Sequence, residues 1–394
     1  MSFQLSSRPS EHPLWLVGFR PFFALALLSG TLLPLIWVLA YSGALRLPTA
    51  LPAVQWHAHE MFYGFGWAVL GGFLLTATKN WMQIRGYHGW SLMLLAAAWV
   101  LERVVLACGA VLPPAVFLLG ANLFLPAVVV MVLHTLIRYR PKAGWAGFDD
   151  NNFFLIILPL FLVAKNLLLI PEHFAAGAEM TLALFRVAFL VMLERTVIGF
   201  MQAAFGLTIH LDPRRDRVIK GLAVLLVGAP WMPVVVVGGL SLLLATLLLW
   251  RLTTWHPRRA FSQIGVGIMY FGYLGIVLQL LAVAAHVLLG ATWMGSVGTH
   301  IFTFGVMALI GPAMLIRISK GHTGRPVQFD TADRWALYAM LLGFVCRVVA
   351  PQVLPGAYLL WVTLAGLCWF ACFATLAWRY LPFYFQPRVD GRTH

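Results

Sequence analysis

The feature that most constrains the fold of this chain is a series of long apolar runs, which continues from near the amino terminus to the carboxy-terminal tail. About 20 consecutive apolar residues suffice for a helix to cross the hydrocarbon core of a bilayer, and the 394 residues provide such runs throughout. Only 10% of the residues are charged, against roughly 25% in soluble proteins. Strands of a membrane barrel would alternate apolar and polar residues, which these runs do not. The sequence therefore predicts an all-α, polytopic transmembrane helical bundle.

We expect twelve transmembrane helices in a single integral membrane domain, 1–394. The segment GAPWMP (228–233) favours a tight turn between two spans over one long helix. Lysine and arginine concentrate in alternate loops, with Arg46 as the exception, so the positive-inside rule predicts that both termini are cytoplasmic. This pattern accounts for the net charge of +14 without a nucleic-acid partner. The predicted spans are 20–42, 57–79, 89–108, 113–137, 152–170, 180–205, 217–229, 232–252, 263–289, 295–316, 334–350 and 356–379.

Ionisable side chains inside membrane spans are costly and usually functional. In the predicted orientation, five helices bring eight of them to the outer leaflet: His57, His59, Glu60, Glu102, Arg103, His286, His300 and Arg347. Neutral imidazole is a good ligand for haem iron and copper, so the four histidines are candidate metal ligands. The two arginines are candidates to pair with haem propionates, and the two glutamates to relay protons as catalytic groups. The alternative is that the charges neutralise one another locally and the histidines bond carbonyl groups.

The first two histidines of this set cannot act together on a regular helix. His57 and His59 are two residues apart, about 200° around the helix axis, so they cannot ligate one metal from it. Either they serve different partners or the start of the helix is irregular. The face of His57 continues through the small residues Gly64, Ala68 and Gly71, which admit either a neighbouring helix or a flat porphyrin.

Other polar residues of the spans suit structural roles. Lys165, Asn166 and Gln279 are expected to form hydrogen bonds between helices. Glu194 and Arg195 lie toward the inner half of the sixth predicted span and suit either an internal ion pair or a proton path. These residues are not included in the predicted metal site.

Several short motifs stand out: WHAHEM (56–61), GFLLTATKNW (72–81), GHTGRP (321–326), PRVDG (387–391), and His300 followed by Phe304 and Gly305. Together they resemble the NnrS family of bacterial membrane proteins. The resemblance implies a twelve-span inner-membrane protein that contains haem and copper and is linked to denitrification and protection against nitric oxide. By position it carries over to His57, His59, Glu60, His300, His322 and Arg325. The chain departs from the family pattern at Met82 and Gln83, in place of a Thr-Gly pair, and at Gly199, near which the family has a proline.

The leading functional hypothesis is a haem b protein of the bacterial inner membrane that either reduces nitric oxide or binds it protectively. Its iron would lie near the periplasmic side, held by His300 and one of His57 or His59, with copper nearby. The chain lacks the Cys-x-x-Cys-His motif of c-type haem, so electrons for a reductase would come from quinol or a donor protein. The alternatives are a transporter for a small anion, gas or metal ion, and a sensor or assembly factor for haem or copper.

Overall fold

The computed structural model describes residues 8–139, 148–291, 293 and 295–392, and the regular structure of these residues is helical throughout. A short helix, Pro257–Ala260, precedes the ninth of the longer helices. In chain order, the longer helices are α1 (Phe19–Tyr41), α2 (Ala53–Trp81), α3 (Trp90–Ala107), α4 (Pro114–Tyr139), α5 (Phe148–Leu169), α6 (Pro171–Phe205), α7 (Pro213–Leu225), α8 (Val234–Thr253), α9 (Ile264–Leu289), α10 (Val297–Gly321), α11 (Thr331–Val353) and α12 (Pro355–Tyr384).

Ten helices of the described chain are long and apolar enough to cross a membrane, namely all of the longer ones except α5 and α7. The all-α, multi-pass prediction is confirmed, whereas two of the twelve predicted spans do not meet this length and composition. The apolar helix described in α5 is Phe153–Leu169, which is shorter. α7 differs from the predicted span because its first turn is polar. Asp212 accepts hydrogen bonds from the backbone N–H groups of Arg214 and Arg215, so the helix begins at Pro213, before the apolar residues.

The predicted turn in GAPWMP is confirmed. A 3-10 segment, Leu226–Trp231, follows α7, and α8 begins at Val234 directly after Pro233. Proline lacks a backbone N–H and is tolerated at the first turn of a helix but not in its interior. The orientation of the termini stays a prediction.

The chain divides into two compact units. Unit 1 comprises Met1–Phe174, Leu315–Gln328 and Phe370–His394, and unit 2 comprises Ala175–Met314 and Phe329–Trp369. Each unit combines segments that are distant in sequence, and α6, α10 and α12 contribute residues to both. The prediction of one membrane domain for the whole chain stays a prediction, and each unit is described by itself below.

In unit 1, α2 carries the predicted site residues and is strongly buried: 78% of the residues in its apolar stretch lie inside the protein. Two side-chain bonds fix its position. The backbone N–H of Phe19 in α1 donates to Thr76 Oγ1 at 2.8 Å, and Gln55 Nε2 donates to the carbonyl oxygen of Leu168 in α5 at 2.7 Å. Both ends of α2 are therefore tied to neighbouring helices.

In unit 2, α9 and the first part of α10 approach each other at backbone distance. A Cβ added at Gly275 would lie 2.6 Å from the carbonyl oxygen of Gly305. Only glycine permits this approach, which holds the residues after His300 against α9.

Three helices widen into π-helical turns beside predicted site residues. In α2 the π-helix covers Glu60–Gly66, directly after His59. In α10 it covers Thr303–Met307, shortly after His300, and in α11 it covers Val345–Val349, which includes Arg347. Single π-helical turns are frequent at functional sites, so the backbone independently marks the segments that the sequence indicated.

Candidate functional site

His57 and His59 serve different surroundings, as the 200° separation predicts. The ring of His57 is partly exposed and stacks on Trp37 of α1, with 4.0 Å between centroids and 15° between planes. His59 is completely buried, and its ring lies 5.3 Å from that of Tyr63. The helix is a regular α-helix through both residues, so the alternative of an irregular start is wrong and the irregularity follows them.

The His59 imidazole has one contact and one open nitrogen. Its Nδ1 lies 3.4 Å from Glu60 Oε1, while its buried Nε2 has no hydrogen-bond partner among the described residues. A buried polar atom without a partner is uncommon and calls for a specific explanation, such as a bound ligand. The open nitrogen and the adjacent carboxylate make His59 the most informative residue of unit 1.

Four ionisable side chains form a charged cluster beside His59. Arg103 Nη2 donates to Glu102 Oε1 at 2.5 Å, and Lys165 Nζ donates to the same oxygen at 2.6 Å. Arg103 Nη1 lies 3.4 Å from Glu60 Oε1 but is not aligned for a hydrogen bond, and neither Nη1 nor Nε makes one. Two carboxylates and two cations balance, so the cluster is electrically neutral in its fully ionised form.

The two glutamates of this cluster differ in how they are held. Glu102 is completely buried and accepts from Arg103, from Lys165 and from the backbone N–H of Phe124, the last at 3.0 Å. Glu60 is 2% exposed and has only the two longer contacts to His59 and Arg103. Glu102 is therefore anchored, whereas Glu60 has oxygen lone pairs available for another partner.

Glycine at position 64 admits Arg103 to the cluster. A Cβ at Gly64 would lie 2.5 Å from Arg103 Nη1 and 3.1 Å from Glu60 Oε2. Trp99 Nε1 of α3 donates to the Gly64 carbonyl at 3.1 Å. On the same face, a Cβ added at Gly71 would lie 3.5 Å from the ring of Phe124 and 3.6 Å from the side chain of Val128, both in α4. Gly64 and Gly71 therefore admit neighbouring helices, which is the first of the two uses predicted for this face.

Lys165 extends the set that the sequence singled out. Lys165 links two helices, as predicted for it and for Gln279. The link is an ion pair with the carboxylate of Glu102. A lysine in the middle of an apolar run is the signal that could have placed it in the ionisable cluster. The sequence could not identify which acidic residue it meets, since the two are 63 positions apart.

In unit 2, His300 and Arg347 share a serine. His300 Nδ1 lies 2.8 Å from the Ser296 carbonyl oxygen, and Arg347 Nη2 lies 3.5 Å from Ser296 Oγ. The Arg347 guanidinium also lies 5.5 Å from the ring centre of Tyr358. Because Nδ1–H donates to a carbonyl, His300 presents Nε2 as its lone-pair nitrogen.

His286 contacts a backbone carbonyl group close to it in sequence. Its side chain is exposed in the last turn of α9, and Nδ1 lies 3.1 Å from the carbonyl oxygen of Ala291. This geometry is that of a histidine near a helix carboxy terminus, where such side chains bond the last carbonyls. It adds no support to the predicted metal-ligand role of His286.

A second buried ionic network in unit 2 centres on Glu194. Lys220 Nζ donates to Glu194 Oε1 at 2.8 Å, and Arg251 Nη1 donates to Glu194 Oε2 at 3.1 Å. Arg251 Nη1 also reaches Asp216 Oδ1 at 3.4 Å, and its Nε donates to the Tyr273 hydroxyl at 3.1 Å. This contact pattern is that of an internal ion pair, which is one of the two roles predicted for Glu194. Sequence reasoning missed its partners because it assigned them to loops or loop borders.

In unit 1, the motifs GHTGRP and PRVDG meet. Arg388 Nη1 donates to the His322 carbonyl at 2.9 Å, and the backbone N–H of Val389 donates to the Thr323 carbonyl at 3.1 Å. Burial, together with the positive charges of Arg388 and Lys79, lowers the pKa of His322 to about 4. The bonds that Arg388 donates lower the pKa of Asp390 to about 2. The two motifs therefore hold the carboxy-terminal tail against the end of α10.

Two histidines have the bonding pattern of a single metal ligand. A histidine that ligates a metal usually gives its other ring nitrogen to a carbonyl or carboxylate. His59, beside Glu60, and His300, on the Ser296 carbonyl, both have that form. In the described parts of the chain, no group of three or more His, Cys, Asp and Glu side chains could hold a metal ion. Haem needs only one or two axial protein ligands, so single histidines suffice for it.

Comparison with known proteins agrees with the motifs. The sequence model of a protein family described as NnrS protein matches residues 13–388, which is nearly the whole chain. No curated protein matches the sequence.

Proposed function

The chain belongs to the NnrS protein family, and from this premise we propose that it is a haem b protein of the bacterial cytoplasmic membrane that handles nitric oxide. The observation that carries the proposal is the open, completely buried Nε2 of His59 beside Glu60. An imidazole with one ring nitrogen beside a carboxylate and the other without a partner has the form of an axial iron ligand. His300 is the corresponding candidate in unit 2.

The charged residues support the same proposal. Within the described chain, Arg103 Nε and Nη1 are buried donors without hydrogen bonds, and Arg347 makes one long hydrogen bond to a hydroxyl besides its contact with the ring of Tyr358. Guanidinium groups bind carboxylates through paired, charge-assisted hydrogen bonds. Either arginine would therefore hold a haem propionate in its own unit.

When bound, the haem would supply an iron on which nitric oxide binds. The protein would exclude water, orient His59 through the Glu60 carboxylate and hold a proton at Glu60. Glu60 suits proton transfer because its contacts are few and long, whereas the anchored Glu102 would keep Arg103 and Lys165 in place. Reduction of nitric oxide would further need electrons from quinol or a donor protein. Copper belongs to the proposal through the family resemblance only.

The visible spectrum of the purified protein tests the proposal. Protein from haem-replete cells, in detergent, is expected to have a Soret band that changes on reduction with dithionite. His59→Ala and His300→Ala should each be compared with His286→Ala, a matched change at an exposed histidine. Loss or shift of the Soret band in one of the first two, with an unchanged spectrum in the third, supports the ligand assignment. Absence of haem from the wild type would refute the proposal.

Consumption of nitric oxide separates a reductase from a binder. The reduced protein, mixed with an excess of nitric oxide and an electron donor, should consume it catalytically if it is a reductase and in stoichiometric amount if it is a binder. Glu60→Gln retains the size of the side chain but cannot carry the proton. In a reductase it should lower turnover by about 10²-fold or more while the haem spectrum stays, and in a binder it should leave the stoichiometry unchanged.

A further inference from the structure

A buried arginine of unit 2 has no ion-pair partner among the described residues. Arg186 in α6 is 4% exposed, and its Nη1 donates to Gln279 Oε1 of α9 at 2.7 Å. Its Nε is buried and has no hydrogen-bond partner. Among the described residues, no carboxylate oxygen lies within 4.0 Å of this guanidinium; Glu179, two turns earlier in the helix, is exposed and beyond that distance.

Two other buried cations described above are paired with a carboxylate. Lys165 meets Glu102 at 2.6 Å, and Arg251 meets Glu194 at 3.1 Å. A buried charge without a partner is strongly unfavourable, which is why buried ions in proteins are usually paired. Arg186 lacks such a carboxylate within the described chain, so its position calls for another acceptor.

The side-chain amide of Gln279 adds a further hydrogen-bond donor beside Arg186. Because a guanidinium only donates, it orients Gln279 with Oε1 toward Arg186, which leaves the Nε2 amino group as a further donor. Gln279 is 4% exposed, and its Nε2 makes no hydrogen bond within the described chain. The pair therefore presents N–H donors from two helices and no free acceptor. A water molecule could accept these bonds, but it would leave the charge uncompensated.

We propose that Arg186 and Gln279 form a buried binding site for a small monovalent oxyanion, such as a carboxylate group or nitrite. One guanidinium balances one negative charge, and two oxygens on one atom match its planar pair of N–H groups. The oxyanion is either free in solution or the carboxylate end of a larger bound molecule. The site does not require the haem proposed above.

Thermal unfolding of the full chain in detergent tests for a free anion. Sodium formate and sodium nitrite are titrated at constant ionic strength, with chloride as the control for screening. The wild type is expected to show a saturable rise in Tm of about 3 °C or more. Arg186→Met should abolish the rise, and Arg258→Met, the same change at an exposed arginine of unit 2, should retain it.

Native mass spectrometry tests for a carboxylate that purifies with the protein. An added mass present in the wild type and in Arg258→Met but absent from Arg186→Met supports the larger ligand. If Arg186→Met does not fold, Gln279→Leu replaces it, with a several-fold weaker anion response or a partial loss of the added mass expected. In anion-free buffer, a folded Arg186→Met should be at least as stable as the wild type, because it removes an uncompensated charge.

The proposal is overturned if formate and nitrite shift Tm no more than chloride does and the wild type carries no additional mass other than that of haem. It is equally overturned if both variants at the site respond as the wild type does. None of these outcomes depends on haem content, so failure here and failure of the proposed function are distinguishable.

Discussion

The charged cluster of unit 1 predicts an unequal response to removal of its two most buried members. Lys165 and Glu102 are both completely buried and joined at 2.6 Å. Glu102→Gln removes the only carboxylate in ion-pair contact with this lysine within the described chain, and the ring of Tyr63 at 5.8 Å is left beside it. Removal of one partner of a buried pair costs about 3–5 kcal/mol, and we expect a loss in this range from the free energy of unfolding.

The reverse substitution should cost less. Lys165→Met leaves Glu102 with two of its three donors, Arg103 at 2.5 Å and the backbone N–H of Phe124 at 3.0 Å. Loss of one hydrogen bond to a charged group costs about 1.5–3 kcal/mol. In the double variant no buried lysine is left unpaired, so its loss should be smaller than the sum of the single losses by about 2 kcal/mol or more.

Reversible unfolding of the full chain in mixed micelles measures these free energies as a double-mutant cycle. Lys79→Met is the matched control, since Lys79 is only half-buried and makes no ion pair within the described chain; its effect should be about 0.5 kcal/mol or less. Equal losses for the two single variants, or losses that add in the double variant, would refute the assignment of Lys165 and Glu102 as a coupled pair.

Three further predictions follow from other parts of the structure. The pKa of His322 is lowered to about 4 in the folded protein, so as the pH falls the unfolded chain binds a proton at this histidine before the folded chain does. The free energy of unfolding should therefore fall by at most about 3 kcal/mol as the pH drops from about 6.5 to about 4. Thermal scans should show a weaker pH dependence for His322→Gln than for the wild type. Gly275→Ala should cost about 1–3 kcal/mol, because its Cβ meets backbone of α10 at 2.6 Å, whereas Gly239→Ala, with nothing within 4 Å, should not destabilise; a similar Tm for both variants would contradict this. Gly324→Ala combines a φ of +83° with a Cβ 2.8 Å from the carboxyl carbon of Asp390, so it should cost about 1–2 kcal/mol or more, and increased proteolysis of the carboxy-terminal tail should accompany it.

The class of the fold and the local features of its helices can be predicted from the amino-acid order alone. Apolar runs of membrane-spanning length predict helices because a bilayer leaves no other way to satisfy the backbone. The turn before α8 and the divergence of His57 from His59 followed from proline chemistry and from helix geometry. These features depend on neighbours within one or two turns, and a sequence contains that information directly. The start of α7 at Pro213 is also set locally, by the Asp212 cap. The apolar pattern did not predict it because the first turn of the helix is polar.

Which polar groups meet depends on how the helices pack, and this could not be predicted from the sequence. Lys165 and Glu102, Arg251 and Glu194, and Arg186 and Gln279 are separated by 63, 57 and 93 positions. Hydropathy places each such group in a span, but its partner depends on the rotation of that helix about its axis and on the helices packed beside it. Those quantities are set by contacts such as Gly275 against Gly305. The same physical reason explains why the open nitrogen of His59 and the unpaired charge of Arg186 become visible only once the helices are packed.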